Sequence, residues 1–160
     1  MEPQMVGLLL ISIASICLLI MRLNYKDKQL VKLSDASQKQ RSLYSILNNM
    51  YAMEQSNMPL GSFLKNEGYK KIAIYGIHYI GQRLFDSRSK EGFKIEYLID
   101  KGKKKEYGGV KVYAPQDDLK PVDAVIVTPV TYYNEIFLEL QKKMDCPILS
   151  IEDILVDINF

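Results

Sequence analysis

The hydrophobic pattern of the chain begins with a long apolar stretch. Residues 5–21 carry no charged side chain, and only Ser12 and Ser15 are clearly polar. As a helix this stretch covers about 26 Å, close to the roughly 30 Å hydrocarbon core of a bilayer. Arg22 and several lysines follow it, and such charges favour the cytoplasmic side. The pattern predicts a transmembrane anchor over residues 5–22, in a single-pass membrane protein with its N-terminus outside and its C-terminal domain in the cytoplasm.

A cleaved signal peptide and a buried helix of a soluble domain are the two other interpretations of this stretch. A cleaved signal peptide needs a basic segment before the apolar run, whereas Glu2 precedes it. A buried helix of a soluble domain would show a polar stripe, which the run lacks. Both are less consistent with the sequence than a membrane span.

Residues 28–68 are predicted to form a helical linker. Apolar side chains recur at helical spacing over residues 43–51, and Ser34 or Ser37 can begin this helix. The heptads that a long coiled coil requires are not sustained, so the stripe packs either on the chain's own domain or on a second copy in a homodimer. Pro59 is predicted to begin a second, shorter helix, in keeping with the preference for proline at the first helical position.

After the linker the period changes to short apolar runs that alternate with helical segments. The predicted strands are residues 70–76, 93–100, 110–113, 122–129 and a fifth within 146–155, and the main predicted helices are 79–92 and 132–144. Strands alternating with helices form right-handed crossovers and a parallel sheet covered on both faces. The predicted fold class is therefore α/β, a small Rossmann-like domain with about five mostly parallel strands over residues 69–160.

The turn after the first predicted strand carries a pattern close to the dinucleotide-binding fingerprint. That fingerprint is G-x-G-x-x-G between a strand and a helix; here Gly76 and Gly81 supply the outer glycines, and His78 replaces the middle one. The start of the helix still offers N–H groups and positive partial charge to an anion, and an imidazole adds a donor. The alternative is that His78 only caps the helix over a vestigial site. The predicted anion-binding residues are Gly76, Ile77, His78, Tyr79, Ile80 and Gly81.

Four further candidates follow predicted strands at the same edge of the sheet. Asp100 ends the second strand, where an acidic residue meets ribose hydroxyls in nucleotide-binding sheets. Lys101 follows it, where its ammonium group would contact a phosphate of the ligand. Thr128 and Thr131 follow the fourth strand and offer hydroxyl donors to a ligand. A turn-forming aspartate, a solvated basic loop and a helix-capping threonine are the structural alternatives. Together the turn and these residues predict a nucleotide or nucleotide-sugar site.

The composition of the chain argues against several functional classes. The net charge of +2, from 21 basic and 19 acidic residues, gives no nucleic-acid footprint. His78 is the only histidine, and Cys17 and Cys146 lie far apart, so neither a metal site nor a disulfide framework is expected. A lone histidine without an evident orienting partner is a thin basis for catalysis. An oxidoreductase or epimerase is disfavoured because a chain of this length has no separate substrate lobe, and no catalytic residue is predicted.

Three stretches carry a resemblance to a known group of proteins. IAIYGIHYIGQRL, IEYLIDKGKKKEYGGVKVYAP and VDAVIVTPVTYYNEI resemble small Rossmann-like nucleotide-binding domains of bacterial surface-glycan biosynthesis. Similar domains form the N-terminal part of sugar acyltransferases and the C-terminal part of sugar C-methyltransferases. The resemblance covers about residues 70–155, and its matching positions are Gly76, His78, Gly81 and Asp100.

This resemblance implies a nucleotide or nucleotide-sugar-binding module that is accessory to surface-polysaccharide biosynthesis. The bound molecule would be a nucleotide-sugar or NAD(P). The acyltransferase and methyl-donor domains that perform chemistry in those relatives have no counterpart in these 160 residues, so a binding role is expected rather than catalysis. The alternative is a degenerate scaffold that binds no small molecule and recruits a partner glycosyltransferase.

Overall fold

The structure is a computed structural model, and it describes the backbone of residues 3–55, 60–91, 93–102 and 105–158. Within these ranges the side chains of residues 3–12, 54, 88–91 and 158 lie outside the described part. The predicted helix start at Pro59 and the end of the predicted 79–92 helix also fall outside it. The chain divides into two compact units, Met1–Ser42 and Leu43–Phe160.

The first element is the single helix α1, Pro3–Gln55, and the transmembrane prediction made for its start is wrong. In the described part of the chain, no helix is long and apolar enough to cross a membrane. The apolar run of residues 5–21 ends before Arg22, somewhat short of the about 20 apolar residues in a row that a span needs. The side chains of residues 5–12 lie outside the described part.

Helix α1 also continues where a new helix start was predicted. Ser34 and Ser37 lie in its interior and cap nothing. Residues 8–58 contain neither glycine nor proline, so no residue in this stretch favours ending the helix. The last part of α1 buries Ile46 and Met53 in the core of the second unit.

The second unit is built on a six-stranded mixed sheet, one strand more than predicted. Its strands are β1 Lys71–Tyr75, β2 Lys94–Ile99, β3 Glu106–Tyr107, β4 Val110–Tyr113, β5 Ala124–Val127 and β6 Ile148–Ser150. The spatial order is β3-β4-β2-β1-β5-β6, and every pairing is parallel except that of β3 with β4. The five parallel strands, numbered by themselves in chain order, are arranged 3-2-1-4-5, the order found in doubly wound sheets.

Helices cover both faces of this sheet. They are α2 Leu60–Asn66, α3 Tyr79–Glu91, α4 Tyr133–Leu140 and α5 Ile151–Ile158, with a one-turn 3-10 helix at Val130–Tyr132. Side chains alternate across a strand, so Ile72 and Ile74 of β1 pack in one core cluster with Leu84 of α3. Tyr75 of the same strand packs in the opposite cluster with Ile136 of α4. The carboxyl ends of the strands therefore lie between two helical layers.

Strands β3 and β4 form a short hairpin after β2, and this hairpin was not predicted. Tyr107 of β3 pairs with Val110 of β4, so only Gly108 and Gly109 form the turn, with φ angles of 55° and 79°. Two-residue hairpin turns of this kind need positive φ at both positions, which glycine adopts without strain. Phe85 of α3 packs edge-on against the Tyr107 ring at a centroid distance of 5.0 Å and holds the hairpin on the sheet.

Candidate functional site

A cavity of about 300 Å³ lies at the carboxyl ends of β1, β2 and β5. Strands β1 and β5 are neighbours between which the strand order reverses, and doubly wound sheets bind ligands at this switch point. We refer to it as the switch-point cavity. Its lining residues are Tyr75, Gly76, His78, Asp100, Lys101, Pro129, Tyr132, Glu135 and Ile136.

Two glycines shape the turn between β1 and α3. Gly76 has a φ of 94°, and a Cβ on it would lie 2.8 Å from Thr128 Oγ1 and 2.9 Å from Pro129 Cδ. A Cβ on Gly81 would overlap the carbonyl oxygen of Gly76. The first glycine therefore permits the turn, and the second lets α3 pack directly on it, as the outer glycines do in a dinucleotide-binding turn.

The start of α3 keeps backbone donors available. Within the described residues, no hydrogen bond uses the amide N–H groups of His78, Tyr79 or Ile80. The His78 side chain is exposed and lines the switch-point cavity, while its carbonyl accepts the Gln82 N–H at 2.9 Å as α3 begins. The imidazole therefore borders the cavity, and the backbone N–H groups beside it still need acceptors.

Asp100 has the structural role of the turn-forming alternative, and its contact with a ribose hydroxyl stays a prediction. Its Oδ2 accepts the Ile77 N–H at 2.8 Å, and its Oδ1 accepts the Gly102 N–H at 2.7 Å. The carboxylate thus joins the β1–α3 turn to the loop after β2. An ionised carboxylate has about four acceptor positions, so Asp100 retains capacity for a hydroxyl in the cavity that it lines.

Thr128 stabilises the turn instead of lining the cavity. Its hydroxyl is buried and donates to the carbonyl oxygens of Tyr75 and Gly76, at 3.0 and 3.1 Å. Thr131 lies in the exposed 3-10 turn, where the neighbouring Tyr132 is the residue that borders the cavity. Both threonines therefore lie near the site, and neither side chain lines it.

Of the ten predicted site residues, the structure brings four together around the cavity. Ile77 and Ile80 place their side chains in the core, while Gly81 serves packing. Tyr79 instead lines a separate groove, where its hydroxyl accepts a hydrogen bond from Arg83 at 3.2 Å. The four that line the switch-point cavity are Gly76, His78, Asp100 and Lys101.

Glu135, Ile136 and Tyr75 line the cavity although the sequence analysis predicted none of them, and the most unusual environment is that of Tyr75. It is only 3% exposed, yet it lines the cavity, and its hydroxyl has no hydrogen-bond partner among the residues that the structure describes. Burial raises the pKa of this hydroxyl to about 12, with smaller contributions from the carboxylates of Glu139 and Asp100. The available signal was a tyrosine that follows the aliphatic residues 72–74 and stands directly before the first glycine.

Comparison with protein-family models, curated proteins and solved structures finds no match to this chain. Among the residues whose placement is described, no cluster of three or more histidine, cysteine, aspartate or glutamate side chains is suited to a metal ion. The switch-point cavity is therefore the basis for assigning a function.

Proposed function

We propose that the chain is a binding module for a nucleotide or nucleotide-sugar, held in the switch-point cavity. The observation that carries this proposal is the start of α3, where three successive amide N–H groups have no acceptor among the described residues. A helix start binds phosphate through such N–H groups and the positive end of the helix dipole. His78, whose N–H is the first of these three, lines the switch-point cavity together with Lys101, and the two side chains add cationic or neutral donors.

The size of the cavity limits what it encloses. At about 300 Å³ it lies at the lower end of the range for small-molecule sites, roughly 300–1,000 Å³. It accommodates one nucleotide-sized unit, and the remainder of a nucleotide-sugar or NAD(P) would extend outside it. The sequence resemblance supports a role accessory to surface-polysaccharide biosynthesis, which forms part of this proposal. We assign no catalytic step.

Thermal unfolding of the purified chain tests the proposal. The probes are UDP-glucose, dTDP-glucose, AMP and NAD, each titrated to about 5 mM. A ligand present at 100 times its Kd stabilises the folded state by about 2.7 kcal/mol, which raises the Tm by several degrees. Titration calorimetry on any probe that shifts the Tm then gives the affinity. The proposal is refuted if none of the four probes raises the Tm and none gives a binding heat.

Two variants locate the binding. Lys101→Glu reverses a charge on an exposed side chain of the cavity and should weaken a phosphate-bearing probe at least tenfold. Lys111→Glu is the matched control, since Lys111 is an exposed lysine on β4 whose ammonium lies over the Tyr113 ring and outside the cavity lining. Equal loss in both variants would show that binding is non-specific and driven by charge.

A glycosyltransferase-recruiting scaffold is the second candidate function. It is favoured by Asp100 and Glu135, because both carboxylates line the cavity and oppose a phosphate there. Co-purification of a glycosyltransferase distinguishes the two: a scaffold retains it in the Lys101→Glu variant and without added nucleotide. A partner that requires both intact Lys101 and a nucleotide supports the binding module instead.

A further inference from the structure

The Tyr75 hydroxyl lacks the hydrogen bond that the buried Tyr97 and the partly buried Tyr133 make on the same side of the sheet. Tyr97 of β2 donates its hydroxyl hydrogen to the carbonyl of Lys120 at 2.5 Å, and Tyr133 of α4 donates to the carbonyl of Ile148 at 2.7 Å. The Tyr75 hydroxyl is buried, and the described part of the chain offers it no partner. An unpaired buried hydroxyl destabilises the folded state, so a hydrogen-bonding partner from outside the chain would offset that cost.

The position of Tyr75 indicates what kind of partner this is. Tyr75 ends β1 directly before the Gly76 turn, and it lines the switch-point cavity together with the carboxylates of Asp100 and Glu135. These carboxylates, and Glu139 further along α4, make this part of the site unfavourable for phosphate. They are instead good acceptors for hydroxyl hydrogens, because an ionised carboxylate only accepts.

A sugar satisfies both requirements at once. A sugar hydroxyl group can accept a hydrogen bond from a tyrosine and at the same time donate its own hydrogen to a carboxylate. A phenol with the ordinary pKa of 10 is already protonated at neutral pH, and burial raises the pKa of Tyr75 further, to about 12, so its hydroxyl is a donor. The phosphate of the same molecule would lie at the other side of the turn, at the N–H groups that begin α3.

We infer that Tyr75 is a ligand-binding residue: a ligand displaces the side chains that cover its hydroxyl, and the hydroxyl then donates a hydrogen bond to an uncharged sugar oxygen, so that the cavity selects phosphorylated sugars over phosphate alone. This rests on the proposed function and deepens it, since it assigns the sugar to the Tyr75 side and the phosphate to the α3 side. Asp100 then serves both the turn and the sugar.

Tyr75→Phe tests the inference, because it removes the hydroxyl and keeps the ring. The probes are UDP-glucose, dTDP-glucose, AMP and NAD on one hand and inorganic pyrophosphate, which lacks a sugar, on the other. We expect Tyr75→Phe to raise the Kd of a sugar-bearing probe about tenfold and to leave the Kd of pyrophosphate within twofold. The variant without probe should be at least as stable as the wild type, because it no longer buries an unpaired hydroxyl.

Tyr97→Phe is the matched control on the neighbouring strand. It removes a hydroxyl that has a backbone partner, so the free protein should lose stability while the Kd of every probe stays unchanged. The two variants should therefore move stability in different directions, and only Tyr75→Phe should move affinity for the sugar-bearing probes.

Each other result overturns the inference. Wild-type affinity for sugar-bearing probes in Tyr75→Phe refutes it and leaves the proposed function standing. An equal loss for pyrophosphate shows that the hydroxyl does not distinguish sugar from phosphate, and a less stable free variant shows that the hydroxyl has a structural partner. If the wild type binds none of the probes at 5 mM, the proposed function and the inference fail together.

Discussion

Replacing Gly81 by alanine should destabilise the protein strongly, although the same change stabilises most helices. A Cβ at this position would overlap the carbonyl oxygen of Gly76 and lie 3.0 Å from the carbonyl carbon of Gly76 and 3.2 Å from Thr128 Oγ1. The first two of these atoms are backbone, in a turn that Thr128 and Asp100 hold by hydrogen bonds. Relief therefore requires movement of α3 or of the whole turn.

Two opposing terms decide the size of the effect. Alanine in place of glycine in a helix interior gains about 1 kcal/mol from helix propensity. Overpacking a well-filled site costs about 1–3 kcal/mol and more when backbone must move, so a cost near 4 kcal/mol is expected here. The net loss in the free energy of unfolding should thus be about 3 kcal/mol for Gly81→Ala, which lowers the Tm by roughly 10 °C in a unit of this size.

Urea unfolding followed by circular dichroism measures this loss. Gly109→Ala is the control, because Gly109 has a φ of 79° and a Cβ there would meet nothing within 4 Å. It carries backbone strain of about 1–2 kcal/mol and no overlap. A Gly81→Ala variant as stable as the wild type would refute the close packing of α3 on the β1 turn, and with it the geometry of the cavity.

Two further predictions concern hydrogen bonds around the sheet. Thr128→Val keeps the side-chain shape but removes the hydroxyl donor to the carbonyl of Gly76, and urea unfolding should show a loss of about 1–2 kcal/mol; unchanged stability would contradict that bond. The Asp123 carboxylate accepts the amide N–H groups of Lys71 and Lys70 at 2.7 and 2.8 Å, and these bonds, that of Lys71 first, lower its pKa below the ordinary 3.8. Its stabilisation is therefore present above pH 3.8 and is lost as the pH falls through the folded-state pKa, so the Tm difference between wild type and Asp123→Asn should shrink from pH 6 to pH 2. A difference that is constant across that range would show that ionised Asp123 is not the stabilising form.

The strands that sequence reasoning located best are those whose side chains are buried on both faces. β1 and β5 are continuous apolar runs because both alternating sets of side chains lie under helices, and such runs are recognisable without knowledge of partners. The strand β3 has only two residues, Glu106 and Tyr107, and lies outside any apolar run. The adjacent Gly108-Gly109 pair was a usable signal for its hairpin.

The transmembrane prediction was wrong because no helix in the described part of the chain is long and apolar enough to cross a membrane. The run of residues 5–21 is short for a span, and the helix that contains it continues to Gln55 through charged sequence. In the candidate site, the glycine turn was recognisable because backbone geometry there demands glycine. The position of Tyr75 before the first glycine was visible in the sequence, but the partners of Asp100 and the isolation of the Tyr75 hydroxyl depend on segments that meet only after folding.

The two outermost strands of the sheet constrain how this protein can meet another. On one side the outermost strand is β3 with two residues, and on the other it is β6 with three, from which α5 begins at once. An added peptide strand needs a longer row of unpaired backbone groups than either of these provides. A recruited enzyme would therefore have to recognise side chains on the helical layers, and point substitutions there, rather than changes of backbone pairing, would govern recruitment.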